Sequence, residues 1–238
     1  MNIFIATIKD NKAFLTEEES WHCAKVLRKK AGDPVSVIDG EGNFYSGTLQ
    51  LVSEKSCVAG ITEGPVKQPS KNHYLHLAIA PTKQIDRIEW MLEKAVEIGI
   101  DEVSFLNCKN SERVVIKEPR IRKIVESAVK QSLQARLPKV NGLVNFDKIL
   151  NVPCDQKLIA HCGGGEKKDI SEIKFSGLKT LVVVGPEGDF SETEVKAAGS
   201  AGFSQLSLGD TRLRTETAGL YICQAVSLLS KTGGRSEQ

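Results

Sequence analysis

The sequence predicts an α/β protein with a parallel sheet, preceded by a small β-barrel domain that contains one helix. Three observations support this fold class. Residues 1–62 hold short segments of alternating polarity, residues 62–72 are polar with two prolines and no periodicity, and from residue 73 apolar strands alternate with helices. We therefore expect two domains, at 1–65 and 73–238, with a linker at about 63–72.

The first domain is predicted from its strands, one turn and one helix. The segments "PVSVIDG" and "FYSGTLQLV" alternate in polarity as half-buried strands do, and "DGEGN" at 39–43 between them favours a hairpin turn. The segment "TEEESWHCAKVLRKKAGD" is helical, with Thr16 in the N-cap position and Glu19 three residues later, as in a capping box. Short strands around one helix indicate a small barrel.

The second domain is predicted from strands that alternate with helices. Its strands are "HYLHLAIA", "DEVSFLN", "KLIAHC", "TLVVVG" and "QLSLG". Its helices are "KQIDRIEWMLEKAVEIGI", a stretch at about 118–134 with a basic face, and the segments that open at "SETEV" and "TETAGLYICQAVSLL". This alternation is typical of a parallel sheet covered on both faces, and ligands of such sheets bind at the carboxyl ends of the strands.

Composition and charge narrow the classes of function. The 238 residues are 40% hydrophobic and 26% charged, which is ordinary for a globular protein, and the net charge of +2 neither favours nor excludes a nucleic-acid partner. The six cysteines form no C-x-x-C pair, so we expect packed thiols and no metal site. With no export signal and no apolar run of membrane-spanning length, we expect a soluble, cytoplasmic protein without a membrane partner.

Two loops after predicted strands have unusual residues. In "GPEGDFSETEV" two glycines permit close approach of the backbone to a ligand, and Ser191 with Glu194 predicts a capping box. In "HCGGGEKKDI" three glycines follow a strand, but the spacing matches neither a P-loop nor a dinucleotide fingerprint. Each segment has a simpler interpretation: the first could be a plain strand-to-helix turn, and the second could be a mobile surface loop.

A third loop, in "LGDTRLRTETAGL", places Arg212 and Arg214 just before a helix. Positive charge at a helix start opposes the helix dipole, although Thr215 or Thr217 as a cap would partly offset this cost. Charge that is placed against local preference indicates an anionic partner. The alternative is a structural ion pair of an arginine with Glu216 or with Glu187.

Together, "GPEGDFSETEV" and "LGDTRLRTETAG" strongly resemble the RsmE family of ribosomal RNA methyltransferases, which belong to the SPOUT superfamily and use S-adenosylmethionine. The segment "HCAKVLRKKAGD" at 22–33 is similar to the H-x-x-x-V-L-R segment of the family's PUA-like domain. The segments "EKAVEIGIDEVSF", "SERVV" and "QSLQARLPKV" are similar to parts of its catalytic domain. The resemblance thus extends over essentially the whole chain.

The resemblance implies a fold, a reaction and partners. It implies a PUA-like RNA-binding barrel followed by a SPOUT methyltransferase domain, whose parallel sheet ends in a C-terminal trefoil knot. The reaction would be S-adenosylmethionine-dependent methylation of N3 of a uridine in 16S ribosomal RNA of the small ribosomal subunit. The enzyme would be a homodimer with the cofactor site beside the subunit interface. No metal would be needed, because the sulfonium methyl group is already activated.

The resemblance also assigns roles to residues. Arg214 would stabilise negative charge that develops on uracil O2 or O4, and Glu216 would be the base or would orient Arg214. The expected cofactor-binding residues are His161, Gly185, Pro186, Glu187, Gly188, Leu208, Gly209, Leu213, Thr217 and Ala218. The expected RNA-binding residues are Arg28, Lys29, Arg113, Arg136 and Arg212.

Three positions depart from the family pattern. Asp189 stands where the family often has a glycine, Gln134 where some members have an arginine, and Arg212 where others carry an aliphatic residue.

The sequence also leaves rival functions open. One rival is a non-enzymatic RNA-binding or assembly factor, and another is a SPOUT methyltransferase that acts on a different RNA. A nucleotide-binding dehydrogenase is disfavoured, because "AIAPTKQIDR" has no glycine-rich fingerprint.

Overall fold

The computed structural model describes residues 3–232 and contains a closed barrel of five strands near the N-terminus. In the barrel the strands follow the order β1-β2-β5-β4-β3, with β1 and β3 parallel and the other neighbours antiparallel. Helix α1 is Glu17–Trp21 and continues as one turn of π-helix, His22–Val26. The five strands are β1 Ile3–Lys9, β2 Lys12–Leu15, β3 Pro34–Ile38, β4 Asn43–Val52 and β5 Cys57–Lys67.

Local signals in the sequence explain the barrel's turns. The Thr16 side chain accepts a hydrogen bond from the backbone N–H of Glu19 at 3.2 Å, so the predicted helix start is confirmed. Between β3 and β4, the Asp39 carboxylate accepts hydrogen bonds from the backbone N–H groups of Glu41 and Asn43, which closes the predicted hairpin. The helix is shorter than predicted, because it ends before Arg28, which has a φ of 53°.

A second sheet has seven strands in the order β10-β12-β9-β11-β6-β7-β8, and every pairing in it is parallel. Its central strand, β11, is apolar and β-branched, as a strand covered on both faces requires. The strands are β6 Tyr74–Ile79, β7 Glu102–Asn107, β8 Lys139–Asn145, β9 Gln156–Ala160, β10 Lys168–Asp169, β11 Lys179–Val184 and β12 Ser204–Ser207. The helices that follow or precede them are α2 Ile85–Ile98, α3 Glu118–Gln131, α4 Phe146–Ile149, α5 Glu192–Ser200 and α6 Thr215–Thr232.

Capping residues and small residues place these helices. Ser191 and Glu194 form a complete capping box at the start of α5, as the sequence predicts. Gly99 ends α2 in the left-handed conformation, with φ 107°. Gly219 lets α6 lie close to the sheet, because a Cβ atom at this position would come within 2.8 Å of Ile79 Cδ1.

The chain divides into two compact units, and one of them is formed by two segments that are separate in the sequence. One unit contains residues up to Ser70 together with Glu126–Leu137, and the other contains Lys71–Val125 and the described residues from Pro138. Backbone hydrogen bonds join Gly42 to Ala135 and Leu137 to Gly40, which explains why 126–137 group with the barrel. Strand β5 runs to Lys67 and so includes residues 63–67 of the predicted linker.

In the second sheet, the sequence analysis did not predict two of the strands, β8 and β10. Strand β8 has the sequence KVNGLVN and is only half-buried at the edge of the sheet, so it lacks the apolar run of a central strand. Strand β10 is two residues long. Between residues 3 and 232 the structure contains no helix that is long and apolar enough to cross a membrane.

Candidate active site

A cleft of about 630 Å³ lies where the neighbouring strands β12, β9 and β11 end. Its walls are the loops that follow these three strands, together with the first turns of α6 and α2. The cleft therefore occupies the carboxyl edge of the parallel sheet, where the sequence predicts ligand binding. The volume is in the range of pockets that hold small ligands or cofactors, roughly 300–1,000 Å³.

The loop at 185–189, after β11, is held by hydrogen bonds from neighbouring segments. The buried hydroxyl of Thr215, the first residue of α6, donates to the Gly185 carbonyl at 3.1 Å. The Glu187 carboxylate accepts the backbone N–H of Lys83 at 2.9 Å and so joins this loop to the segment between β6 and α2. Glu187 thus serves to hold the loop together, and Thr215 lies inside the helix rather than in the predicted cap position.

Both predicted arginines of the third loop, Arg212 and Arg214, are exposed and line the cleft. Glu216 also lines the cleft, and its carboxylate pairs with neither of them but with Arg87 of α2, at 3.7 Å. The side chain of Glu216 is only 11% exposed, whereas that of Arg87 is 37% exposed. The cleft therefore contains three guanidinium groups and a shielded carboxylate on its α2–α6 side.

The structure brings most of the predicted cofactor residues together. His161 Nε2 lies 2.9 Å from Gln205 Oε1, and the Lys167 ammonium donates to the His161 carbonyl at 2.6 Å, which shapes the loop after β9. Gly209 has a φ of 106°, which favours glycine at the start of the third loop. The predicted residues that line the cleft are His161, Gly185, Pro186, Glu187, Leu208, Gly209, Leu213 and Ala218. Gly188 and Thr217 are not part of its lining.

The lining residues fit S-adenosylmethionine by their chemistry. Val184, Leu208 and Leu213 supply apolar walls for an adenine ring, between loops whose backbone groups can donate and accept hydrogen bonds. The carboxylates of Asp210 and Glu216 line the same space and suit a ligand with a sulfonium and an ammonium group. Between residues 3 and 232, no group of three or more His, Cys, Asp or Glu side chains could hold a metal ion.

Of the five predicted RNA-binding residues, Arg212 is among the residues that line the cleft and the other four are not. The Lys29 ammonium donates to the Pro34 carbonyl at 2.9 Å, and Arg136 lies exposed against the backbone of Gly42. Arg113 donates three hydrogen bonds to the carbonyls of the segment between β6 and α2, so it supports the same segment that binds Glu187. Arg28 is exposed.

Comparisons with known proteins agree with this geometry. A family model described as RNA methyltransferase domain matches residues 69–227, and one described as RNA methyltransferase PUA domain matches residues 15–62. A solved structure, the probable rRNA-methyltransferase from Porphyromonas gingivalis, is 38% identical with a TM-score of 0.89 and covers 98% of this chain and 100% of its own. The chain belongs to the RNA methyltransferase family.

Its relatives also agree on the kind of RNA methyltransferase. The ribosomal RNA small subunit methyltransferase E of Mesomycoplasma hyopneumoniae (strain 232) is 28% identical, over 92% of this chain and 96% of the relative. The Neisseria gonorrhoeae enzyme of that name, solved bound to S-adenosyl methionine, is 24% identical with a TM-score of 0.81, over 96% of this chain and 98% of its own. The resemblance to the RsmE family is confirmed, as is the SPOUT-type sheet after a PUA-like barrel; the knot stays a prediction.

Several cleft residues were missed by the sequence analysis, chiefly Arg87, Cys162, Lys167, Asp189 and Thr215. Arg87 could have been found, because it follows the carboxyl end of β6, which neighbours β11 at the same edge of the sheet. The other four lie inside the three quoted loops, but nothing in their spacing shows which side chains turn into the cleft.

Proposed function

We propose that this protein transfers a methyl group from S-adenosylmethionine to N3 of a uridine in 16S ribosomal RNA of the small ribosomal subunit. The observation that carries the proposal is the cleft at the carboxyl edge of the sheet, where three loops meet with Arg214 and Glu216. An activity on RNA is supported by the membership of the chain in the RNA methyltransferase family. The substrate follows the names of its relatives, the small subunit methyltransferases E.

The cofactor would be held by backbone groups of the three loops, with Leu208 and Leu213 against the adenine and acidic side chains near the positive groups. S-adenosylmethionine supplies a methyl group already activated by its sulfonium. The loops would exclude water from this methyl group and leave one side of the cleft open to a base. The expected contacts of His161, Gly188 and Thr217 with the cofactor are part of this proposal.

In the reaction, the residues of the protein would remove a proton from the base and stabilise the negative charge that develops on it. Uracil N3 carries a proton and is a poor nucleophile until that proton leaves. The Arg214 guanidinium would stabilise the negative charge that then spreads onto O2 or O4. Glu216 is our candidate base, because it is a shielded carboxylate of the cleft, held in place by Arg87.

We further propose how the rest of the chain contributes. The PUA-like domain, residues 1–65, would bind RNA phosphates through Arg28 and Lys29, and the residues from 73 would form the methyltransferase domain. Arg113, Arg136 and Arg212 would add contacts to RNA. The enzyme would act in the cytoplasm as a homodimer, and exposed large apolar side chains on α2 and α6 support such an interface: Trp90, Tyr221 and Leu228.

The test is methyl transfer to ribosomal subunits that lack the modification, with methyl-labelled S-adenosylmethionine and mapping of the labelled nucleosides. We expect label in 3-methyluridine of 16S ribosomal RNA. Arg214→Ala should lower kcat by about 100-fold or more, the effect of removing one donor to a developing oxyanion. Its matched control is Arg212→Ala in the same loop, which should raise the KM for RNA and change kcat much less.

Other outcomes would contradict the proposal in separate ways. Label in transfer RNA or in a ribose would identify another RNA methyltransferase of the same fold. Binding of S-adenosylmethionine without transfer to ribosomal subunits, naked ribosomal RNA or transfer RNA would contradict the assigned substrate. Absence of cofactor binding would favour a non-enzymatic assembly factor.

A further inference from the structure

We propose that Asp189 is a positioning residue for the methyl donor, because its carboxylate ties the loop after β11 to the loop after β9 and so sets the shape of the cleft. The proposal deepens the proposed function and rests on it, since both concern the same cleft. Asp189 lines that cleft, but its side chain is used within the protein.

Both oxygens of the Asp189 carboxylate accept backbone hydrogen bonds. Oδ2 accepts the N–H of Cys162 at 2.8 Å, and Oδ1 accepts the N–H of Phe190 at 2.8 Å. Cys162 lies two residues beyond the end of β9, and Asp189 lies five residues beyond the end of β11. The carboxylate therefore bridges the exits of two neighbouring strands, and hydrogen bonds to a charged acceptor are about twice as strong as neutral ones.

The backbone of Asp189 is held in an unusual conformation for this purpose. Its φ is 61°, in the left-handed region that residues other than glycine seldom adopt. Its N–H donates to the Pro186 carbonyl at 2.9 Å. The Asn110 amide donates to the carbonyls of Gly188 and Asp189, at 3.2 and 3.0 Å, from the segment after β7. Such a conformation persists where surrounding contacts over-determine it, which points to a role for the residue.

A glycine at this position would adopt the same backbone conformation with less strain. It would, however, leave the Cys162 N–H without its acceptor, and the loops after β9 and β11 would lose this connection. The turn alone therefore does not require an aspartate at position 189, whereas the hydrogen bond from the Cys162 N–H does. Since both loops form walls of the cleft, their relative position determines how well a bound cofactor fits between them.

The experiment measures the Kd of S-adenosylmethionine by calorimetry on the full chain, and then steady-state kinetics. Asp189→Gly should raise the Kd and the KM for S-adenosylmethionine about tenfold, which is about 1.4 kcal/mol. The kcat at saturating cofactor and the KM for RNA should stay within twofold of wild type, because Arg214 and Glu216 are untouched. Asp189→Asn keeps one acceptor oxygen and should recover part of the affinity.

The matched control is Asp10→Gly, which makes the same change at another aspartate with positive φ, 49°, in the hairpin between β1 and β2. It should leave the Kd for S-adenosylmethionine unchanged. An Asp189→Gly protein that binds the cofactor as tightly as wild type would overturn the proposal, as would a fall in kcat at unchanged Kd. If wild-type protein bound no cofactor, the proposed function would fail first, and this inference with it.

Discussion

Glu216 is two residues from Arg214 in the chain, yet its carboxylate lies 3.7 Å from Arg87 on a different helix. Thr215, between them, is buried and donates its hydroxyl to Gly185 in another loop. Arg214 itself points to the cleft. At the scale of single residues, three consecutive side chains thus have three different surroundings: Arg214 is exposed in the cleft, Thr215 holds the loop at 185–189, and Glu216 pairs with Arg87 of α2.

Thr215→Val tests the attachment of the loop at 185–189. The valine side chain has nearly the same shape, so the expected loss of stability comes from the Gly185 carbonyl, which is left without its donor in a buried place. We expect a loss of about 1–3 kcal/mol in the free energy of unfolding, measured by urea denaturation. Thr217→Val, at an exposed position of the same helix, is the matched control and should change stability by less than about 0.5 kcal/mol. Equal losses in both variants would contradict the assignment.

At the scale of elements, the amino ends of β6, β7 and β8 hold a buried polar network at the edge of the sheet opposite the cleft. His76 Nε2 lies 2.8 Å from Ser104 Oγ, and Glu102 accepts hydrogen bonds from Tyr74, Lys139 and Asn141. Register explains the cluster, because His76 pairs with Glu102 and Glu102 pairs with Lys139 on adjacent strands. The network satisfies these buried polar groups except His76 Nδ1, which lies 3.9 Å from Glu102 Oε2 and has no hydrogen-bond partner among the described residues.

This network predicts how stability depends on pH. The pKa of His76 is lowered from 6.5 to about 4, chiefly by burial. The nearby negative charge of Glu102 raises this pKa, and the positive charges of Lys139 and Lys179 lower it. Unfolding therefore takes up a proton between these pH values, so the free energy of unfolding should fall by about 3 kcal/mol as the pH falls from 6.5 to 4. Urea denaturation across this range measures the slope.

His76→Gln, which stays uncharged, should reduce this slope, and His22→Gln at an exposed position is the matched control. Glu102 extends the loss to lower pH. Burial raises its pKa, but hydrogen bonds from Lys139 and Asn141 and the nearby His76 outweigh burial and lower the pKa from 4.5 to about 2. Its stabilising contribution is complete above pH 4.5 and is lost as the pH falls from 4.5 to 2. If the free energy of unfolding of His76→Gln fell between pH 6.5 and 4 as steeply as that of the wild type, the assignment of this slope to His76 would be contradicted.

At the scale of the whole molecule, the barrel unit is discontinuous in the chain. Glu19 is buried and pairs at 2.5 Å with Lys130, which follows more than 100 residues later. The Gln68 side chain accepts the backbone N–H groups of Ala135 and Arg136. The barrel of residues up to Ser70 is therefore completed by a segment that interrupts the second unit in sequence.

A fragment of residues 1–70 should consequently fail to show a cooperative unfolding transition. It lacks the partner of Glu19, and an unpaired buried carboxylate costs about 3–5 kcal/mol, which is much of the stability of a small domain. Urea denaturation followed by Trp21 fluorescence measures this. The same fragment with 126–137 appended through a glycine-serine linker should recover the transition, and a cooperative transition in 1–70 alone would refute the argument.

Much of the fold and part of the site follow from local signals in the sequence. The features that were correctly predicted each depend on neighbouring residues: the capping box of α5, the N-cap at Thr16, the hairpin at 39–43 and the apolar strands β6, β7, β9, β11 and β12. The three loops of the cleft were predicted because parallel strands place their carboxyl ends at one edge. The edge strand β8 was not, because half-buried strands with Asn and Gly lack a distinct pattern.

By itself the sequence determined the class of fold, the family and the three loops that form the cleft together with helix residues. The tertiary structure alone decided which side chains meet there. Arg87 joins Glu216, Asp189 joins the N–H of Cys162, and residues 126–137 join the barrel. The physical reason is distance along the chain: capping and periodicity act over a few residues, whereas these contacts join segments that only the packing of the whole sheet or barrel brings within a few ångströms.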